Sequence, residues 1–392
     1  MDISGLLSRW RQATPTGIDR VEMAYAQALI ERDPERLAFG GLRPGGGYAR
    51  FPTAVVRDYL EATQEMWALG EGGDGARRGR LAFLAMLDIR PTPGGAGRRP
   101  RAYLHLSPRG LERLRAYEAA LKREHARMVT FVHDLIPLEH PEFVREGGAA
   151  LFRRKLETLA KLSDGVLVNS QATATATSAH LARLGRQTML RIAPLGVPSL
   201  APAGRRGRRE KPYFVVLGTI EPRKNHLLLL NIWRRWVEQE GAEAAPDLVV
   251  VGRRGWENEN ILDLLDRSPV LGRVVDERGG LGDVATRSLV AGARAVLCPS
   301  FAEGYGLAVA EALQLGTPVI ASDIAAHREV GGAAPDYLDP LDGPAWARAL
   351  RDYAQPDSPR RRAQQARLAD WKGAGWTEHF QIAFQLIEDV VR

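Results

Sequence analysis

The stretch that decides the fold is residues 299–313, which read PSFAEGYGLAVAEAL. They follow a short apolar run ending at Cys298, which has the length of a buried strand. Gly304 and Gly306 then allow the backbone to approach a ligand closely, and a helix is expected to begin near Tyr305. Because the amides of a first helical turn attract anions, this order of strand, glycine-rich turn and helix predicts an anion-binding site.

Two glutamates frame this turn. Glu303 comes just before the helix and is expected to face whatever the amides hold. Glu311 lies farther along the helix, where its carboxylate can accept hydrogen bonds from a diol such as a ribose. Each has a structural interpretation as well, Glu303 as a capping carboxylate and Glu311 as an exposed helix charge. Their joint spacing around the turn favours a binding site.

A second informative stretch is residues 217–226, LGTIEPRKNH, which also leaves an apolar strand and enters an amphipathic helix from Leu227 onward. Cations at a helix start are unfavourable unless an anion pairs with them, so folding alone explains Arg223 and Lys224 poorly. Arginine offers a planar fork and lysine a point charge, which together suit a diphosphate. A solvated pair of cations is the alternative.

The whole chain alternates short apolar runs with longer amphipathic stretches, which is typical of βα units and parallel sheets. In the second half this pattern predicts strands at residues 213–217, 248–251, 273–275, 295–298 and 318–321. Residues 198–212 interrupt this pattern with prolines at both ends and many arginines, as a linker does. We therefore predict two doubly wound, Rossmann-like domains, residues 1–197 and 213–370, with a ligand in the cleft between them. Residues 371–392 contain a helix that either completes the second domain or, as we expect, crosses back to the first.

Composition excludes several classes of protein. The chain has 392 residues and one cysteine, Cys298, whose apolar surroundings predict a buried strand residue in a reducing compartment. No run approaches the roughly 20 apolar residues that span a bilayer, and residues 1–4 lack a signal-peptide pattern, so we expect a cytoplasmic protein. The net charge is +7, with arginine clusters at residues 77–80, 98–101 and 205–209. Without interleaved aromatics these clusters argue against nucleic acid; they indicate solvated loops or a surface for anionic membrane.

The two stretches resemble the signature regions of the retaining glycosyltransferases of family GT4, whose fold is GT-B. Glu303 and Glu311 match the E-x7-E motif of that family, and residues 217–226 match its phosphate segment. The resemblance continues through residues 316–322, is close over residues 213–345, and is looser over the first half of the chain.

The resemblance implies a role for each matching residue. Arg223 and Lys224 would bind the donor diphosphate and stabilise the leaving group, and Glu303 would hold the donor sugar while Glu311 takes the ribose. Many members have an arginine where this chain has Thr219. The implied donor-binding residues are Gly17, Thr219, Arg223, Lys224, Glu303, Gly304, Tyr305, Gly306, Leu307 and Glu311, and the implied catalytic residues are His133, Arg223, Lys224 and Glu303.

Two segments of the first half resemble the family less sharply. His133 ends an apolar strand and resembles the histidine that contacts the donor sugar in the cleft; a strand-end cap is the alternative. Asp134 is interpreted as the anchor of the following turn. Gly17 resembles the glycine of the loop before the first helix, although Thr16-Gly17 is also an ordinary N-cap sequence. The first strand of the family normally precedes Asp2, and almost none of it is present here.

The activity implied by the resemblance is a metal-independent transfer of a hexose with retention of configuration and no cofactor besides the nucleotide-sugar. The departing phosphate oxygen would itself take the proton of the acceptor. Residues 218–226 resemble bacterial mannosyltransferases of surface-polysaccharide assembly, so GDP-mannose is the first candidate donor and a UDP-sugar the second. The acceptor would be a glycan or a lipid-linked glycan at the cytoplasmic face of the inner membrane. Alternatives are a nucleotide-sugar 2-epimerase, a non-catalytic sugar-nucleotide-binding partner of a polysaccharide assembly complex and, from charge alone, a nucleic-acid binder.

Overall fold

A computed structural model describes residues 1–43, 47–87, 100–197 and 211–392. The chain forms two compact units. Unit 1 comprises Met1–Glu139, Glu146–Leu195 and Trp376–Arg392, and unit 2 comprises His140–Arg145 and Gly196–Gly375. Most of the predicted linker, and the arginines at positions 98, 99 and 205–209, lie outside the described residues.

Unit 1 is an α/β unit. Its helices in the described residues are α1 Ser4–Ser8, α2 Gly17–Arg32, α3 Thr53–Leu69, α4 Gly75–Leu87, α5 Leu114–Glu124, α6 Ile136–Glu139, α7 Gly148–Leu162, α8 Gln171–Arg183 and α16 Trp376–Val391. Its strands are β1 Phe39–Leu42, β2 Tyr48–Phe51, β3 Arg101–His105, β4 Ala126–Val132, β5 Ser163–Val168 and β6 Met189–Ile192. Strands β3, β4, β5 and β6 form a parallel sheet in that order.

Helix α16 completes the packing of unit 1. A Cβ atom on Gly165 of β5 would lie 2.7 Å from a methyl carbon of Val390, so the helix rests directly on the strand. His379 of α16 bonds the Ala193 carbonyl at 3.1 Å and the Tyr25 hydroxyl at 2.8 Å. The first and last parts of the described chain therefore share one core.

The antiparallel pair β1–β2 is not evident from the sequence. Residues 1–3 pair beside it, because the Asp2 amide donates to the Leu104 carbonyl at 2.9 Å and the Ile3 amide to the Gly40 carbonyl at 2.9 Å. Residues 44–47, between the two strands, read PGGG, and proline and glycine both have low strand propensity.

Unit 2 is a second α/β unit. Its helices in the described residues are α9 His226–Glu240, α10 Glu259–Arg267, α11 Asp283–Gly292, α12 Leu307–Gln314, α13 Ala325–Gly331, α14 Gly343–Ala354 and α15 Pro359–Leu368, with 3-10 turns at Pro141–Phe143, Pro222–Lys224 and Leu271–Arg273. Its strands are β7 Tyr213–Leu217, β8 Asp247–Val251, β9 Val275–Arg278, β10 Val296–Cys298, β11 Val319–Ser322 and β12 Asp336–Leu338.

The strands of unit 2 form a parallel sheet in the order β9-β8-β7-β10-β11-β12. Both faces are covered, since Phe214 and Val216 of β7 pack in one apolar cluster and Tyr213 and Val215 in another. Cys298 is buried in the second cluster, as predicted, and burial raises the pKa of its thiol to about 12.

Two sequence expectations are wrong. Residues 273–275 were expected to form a strand, but a 3-10 turn ends at Arg273 and β9 begins at Val275. The arginine cluster at residues 77–80 was interpreted as a surface feature, yet Arg78 is only 1% exposed. In the described ranges no helix is both long and apolar enough to cross a membrane.

Candidate functional site

The topology of unit 2 brings the two signature stretches together. The strand order reverses between β7 and β10, the point at which open α/β sheets bind ligands beyond the carboxyl ends of their strands. Residues 218–225 follow β7, and residues 299–306 follow β10. The Phe301 amide donates to the Arg223 carbonyl at 2.8 Å, which joins the two loops directly.

The first loop places its cations on a 3-10 turn, not at the start of the helix as predicted. Pro222–Lys224 form this turn, Asn225 adopts the left-handed conformation with φ 55°, and α9 begins at His226. The Asn225 side-chain amide donates to the Pro299 carbonyl at 3.2 Å and the Pro340 carbonyl at 3.0 Å. These bonds stabilise a backbone conformation that few residues other than glycine adopt.

The second loop ends at Gly306, whose φ of 102° makes it the left-handed N-cap of α12. The helix begins at Leu307, two residues later than predicted. Gly304 is half-buried and Tyr305 is 7% exposed. The turn therefore has the predicted order of strand, glycine-rich loop and helix.

Arg223, Lys224 and Glu303 meet in one ion cluster. A guanidinium nitrogen of Arg223 lies 2.6 Å from a Glu303 carboxylate oxygen, and the Lys224 ammonium donates to the other oxygen. Arg223 also pairs with Glu221 at 2.5 Å, and the Ser300 hydroxyl donates to Glu303 at 2.8 Å. Folding alone was expected to explain Arg223 and Lys224 poorly, but carboxylates of the same fold form ion pairs with both of them.

Burial and charge act in opposite directions on the two carboxylates of the cluster. Burial alone would raise the pKa of Glu303, but Arg223 and Lys224 outweigh it and hold that pKa well below its ordinary value. At Glu221, which is 2% exposed, burial prevails over the same cations and raises the pKa. Glu303 is therefore the permanently ionised partner.

His327 is a neighbour of this cluster that the sequence analysis missed. It lies on α13, is 1% exposed, and its Nδ1 lies 3.0 Å from the Ser322 carbonyl. Its Cδ2 would lie 3.1 Å from a Cβ atom on Gly306, so the imidazole packs against the N-cap of α12. Because β11 is the neighbour of β10 in the sheet, the loop after β11 belongs at this edge, and sheet order is the signal that identifies it.

A glycine contact outside the predicted stretches also shapes the site. A Cβ atom on Gly252, which follows β8, would overlap the carbonyl oxygen of Gly218. Gly218 has φ 127° and lies beside Lys224, whose Cε would be 3.4 Å from its Cβ position. Thr219 and Glu311 are half-buried, the first in the same loop and the second on α12.

An aromatic stack supports the second loop from a distant part of the sequence. Phe143 belongs to unit 2 through the short segment His140–Arg145, and its ring lies parallel to that of Phe301 at 5.7 Å between centroids. Trp256 donates from its indole nitrogen to the Phe143 carbonyl at 3.1 Å. No sequence pattern indicates that residues 140–145 belong to a different unit from the residues on either side of them.

The predicted residues of the first half lie in unit 1. His133 directly follows β4, its Nε2 lies 2.7 Å from the Leu106 carbonyl, and burial lowers its pKa to about 4. Asp134 anchors the following turn by accepting from the Ile136 amide at 3.1 Å, as interpreted. Gly17 is the first residue of α2, which the Thr16 N-cap begins with a full capping box. The N-cap interpretation of Thr16-Gly17 is confirmed, and the contacts proposed for His133 and Gly17 with a ligand stay predictions.

Comparison with known proteins places a family domain over the site. Residues 211–355 match the family described as glycosyl transferases group 1. The serotype-specific mannosyltransferase WbdA of Escherichia coli is 30% identical over 220 residues, which are 51% of this chain and 26% of that protein. The O-antigen chain mannosyltransferase B of Escherichia coli is 35% identical over 164 residues, 42% of each chain. The chain thus spans well under half the length of these relatives.

Solved structures share the fold. HepE of Anabaena in complex with UDP and glucose aligns with a TM-score of 0.56 at 18% identity, covering 73% of this chain and 77% of that one. An α,α-trehalose-phosphate synthase (UDP-forming) of Burkholderia xenovorans aligns with a TM-score of 0.56 at 14% identity, covering 70% of each chain. The predicted fold class, GT-B with two Rossmann-like units, is confirmed.

Proposed function

We propose that this chain, which carries a glycosyl transferases group 1 domain over residues 211–355, transfers a hexose from a nucleotide-sugar to a glycan or lipid-linked acceptor in bacterial surface-polysaccharide biosynthesis. The observation that carries the proposal is the cluster of Arg223, Lys224 and Glu303 at the strand-order reversal of unit 2. Two adjacent cations at a loop that opens onto a ligand crevice suit a diphosphate, and this loop provides them.

The ion cluster supports a role in leaving-group stabilisation. Arg223 is fixed by Glu221 on one side and by Glu303 on the other, so its guanidinium is oriented before any ligand binds. Lys224 is 16% exposed and has three donors, of which Glu303 uses one. A diphosphate would share these donors, and the fixed charges would stabilise the negative charge that develops on its departing oxygen.

The same cations support the finer features of the reaction. We propose that it is metal-independent, because Arg223 and Lys224 supply the two positive charges that a divalent cation would otherwise bring to a diphosphate. We propose retention of configuration through same-face displacement, in which the departing phosphate oxygen takes the proton of the acceptor hydroxyl. The donor would be positioned by residues 303–307 of the turn, by Glu311 and by His133.

GDP-mannose is the proposed donor, since the relatives are named as mannosyltransferases, one of them for O-antigen chains. A UDP-sugar is the second candidate, because solved structures of the same fold contain UDP. The alternative function is that of a non-catalytic sugar-nucleotide-binding partner of a polysaccharide assembly complex. Such a protein would bind the nucleotide-sugar but would show no turnover. We place the reaction in the cytoplasm, at the membrane face where a lipid-linked acceptor would be found.

A thermal-shift panel of GDP, UDP and ADP with their common sugar conjugates, without added metal, tests the donor site. Selective stabilisation by one nucleotide, lost in Lys224→Ala, is the expected result. Stabilisation by all of them alike, or by none, would contradict the proposed site. Insensitivity of turnover to a chelator would then test metal independence, and the anomeric configuration of the product would test retention.

A further inference from the structure

Helix α4 of unit 1 buries an arginine and exposes large apolar side chains, which is the opposite of an ordinary surface helix. Its buried stripe contains an arginine, Arg78, together with Ala82 and Ala85. The Arg78 guanidinium is 1% exposed and donates to the Thr63 hydroxyl at 3.0 Å and the Gln12 carbonyl at 2.7 Å. A buried polar group with these partners is satisfied, so the arginine stabilises the inner face of the helix.

The solvent stripe of the same helix carries the large apolar side chains. Phe83, Leu84 and Leu87 are 59%, 49% and 57% exposed. With Arg80 they occupy positions i, i+3, i+4 and i+7, which lie on one face of a helix. They are three of the nine large hydrophobic side chains that are exposed within the described ranges, and the other six lie outside α4. Contiguous exposed apolar side chains on one stripe indicate a contact surface, whereas scattered ones do not.

The charged side chains of α4 itself are all cationic. Residues 75–87 contain Arg77, Arg78 and Arg80 and no acidic residue. Arg77 pairs with Glu65 at 2.7 Å, and Arg78 is buried on the inner face with neutral partners. Arg80 is exposed and makes no ion pair within the described part of the chain. An apolar stripe with an exposed, unpaired arginine beside it complements a surface of anionic headgroups above acyl chains.

We infer that the solvent stripe of α4 docks on an anionic lipid bilayer, with Phe83, Leu84 and Leu87 inserted below the headgroups and Arg80 at the lipid phosphates. A second copy of the chain fits less well. Three side chains fall far short of the roughly 800 Å² that each partner of a stable protein interface buries. They suffice for reversible membrane contact, in which a few inserted side chains act together with headgroup electrostatics.

The inference rests on the proposed function in one respect, since membrane docking would bring the chain to a lipid-linked acceptor. It assigns the predicted membrane contact to one of the three arginine clusters, residues 77–80, which lies on a helix. The docking surface belongs to unit 1 and shares no residue with the nucleotide site of unit 2.

Vesicle sedimentation of the full chain tests the inference. We expect binding to vesicles of phosphatidylcholine with phosphatidylglycerol, weak binding to phosphatidylcholine alone, and a loss of at least about tenfold in Phe83→Ser/Leu87→Ser. Arg80→Glu should remove the preference for phosphatidylglycerol. Leu341→Ser is the matched control, because Leu341 is 79% exposed in unit 2 and should not affect binding.

Equal sedimentation of wild type and Phe83→Ser/Leu87→Ser would overturn the inference, and so would a dimer of the wild type that this variant dissociates. The nucleotide thermal shift separates the two proposals. If Phe83→Ser/Leu87→Ser keeps the wild-type shift but no protein binds vesicles, only the docking surface is wrong. If vesicles bind but no nucleotide does, only the proposed activity is wrong.

Discussion

Arg223 and Glu303 are 80 positions apart in the sequence and 2.6 Å apart in the structure, where they form the centre of the proposed nucleotide site. Lys224 holds the other oxygen of the same carboxylate. The donor must therefore compete with, or share, cations that already have an anionic partner. Substituting either the carboxylate or the lysine should therefore change how tightly a diphosphate binds.

Glu303→Gln should strengthen the binding of a free nucleoside diphosphate severalfold and lower turnover by about a hundredfold or more. The substitution removes the negative charge that competes for Arg223 and Lys224, so the cations attract a diphosphate more strongly. It also removes the group that orients them, which catalysis requires. Calorimetry with GDP and UDP and steady-state kinetics measure the two effects. Asp357→Asn is the control for the loss of one negative charge, because the Asp357 side chain is 98% exposed. If Glu303→Gln bound nucleoside diphosphates more weakly than the wild type, Glu303 would not compete with the ligand for the cations.

Lys224→Gln should weaken nucleoside diphosphate binding by about tenfold to a hundredfold, as expected for the loss of one charge-assisted hydrogen bond. The salt dependence of the remaining affinity should become shallower, because one fewer cation meets the ligand. Titrations at two ionic strengths check both results. Lys372→Gln removes an exposed lysine of the same unit and should change neither. An unchanged salt dependence in Lys224→Gln would place the diphosphate elsewhere.

His226 makes unit 2 sensitive to acid. Burial lowers its pKa to about 3, and neither ring nitrogen has a hydrogen-bond partner within the described residues. An unfolded histidine titrates near pH 6.5, so the unfolded chain binds more protons between pH 6.5 and 3, and stability falls as the pH drops through this window. The cost attributable to His226 is about 2 kcal/mol near pH 5.

His226→Leu should therefore flatten the pH dependence of unfolding below pH 6.5 and leave it unchanged above pH 7. Urea unfolding at several pH values measures the effect. His180→Leu, at a half-buried position on α8, is the control. A variant that loses stability in parallel with the wild type from pH 7 to 5 would show that His226 is not a source of the acid sensitivity.

Gly252→Ala should weaken both the fold of unit 2 and its nucleotide site. The added Cβ atom would overlap the Gly218 carbonyl oxygen, so the loops after β7 and β8 must separate. We expect a loss of about 1–3 kcal/mol in unfolding free energy together with weaker nucleotide binding. Gly272→Ala is the matched control, because a Cβ atom there meets nothing within 4 Å. A Gly252→Ala variant with wild-type melting and nucleotide affinity would contradict this close approach.

The sequence predicts most of the elements that carry the site, because buried parallel strands are continuous apolar runs bounded by glycine and proline. Strand β7 matches the expected Tyr213–Leu217 fully. Strand β9 does not match, since it lies at the edge of its sheet, where the polar Val275–Arg278 can pair on one side without an apolar pattern. The β1–β2 pair was missed for a related reason, as its strands are short and one of them contains two glycines.

The pairing partners within the site could not be predicted in the same way. The sequence indicates that Arg223, Lys224 and Glu303 face one ligand, but not that they face each other. Ion pairing depends on which strands are neighbours, and β7 and β10 are brought together by a sheet order that local patterns do not contain. The same holds for His327, which enters the site only because β11 lies beside β10. Arg78 was misjudged because its carbonyl partners come from a separate part of the chain.

The packing of α16 on β5 affects the order in which the two units can fold during synthesis. Gly165 and the rest of β5 leave the ribosome long before Val390, the residue that covers them, has been synthesised. Between these two events residues Gly196–Gly375, which are all of unit 2 except the segment His140–Arg145, are translated. One face of the unit 1 sheet must therefore wait uncovered while unit 2 emerges and folds. During that interval the nascent chain exposes an apolar strand face that a chaperone can bind, and unit 1 is the later of the two units to reach its native state.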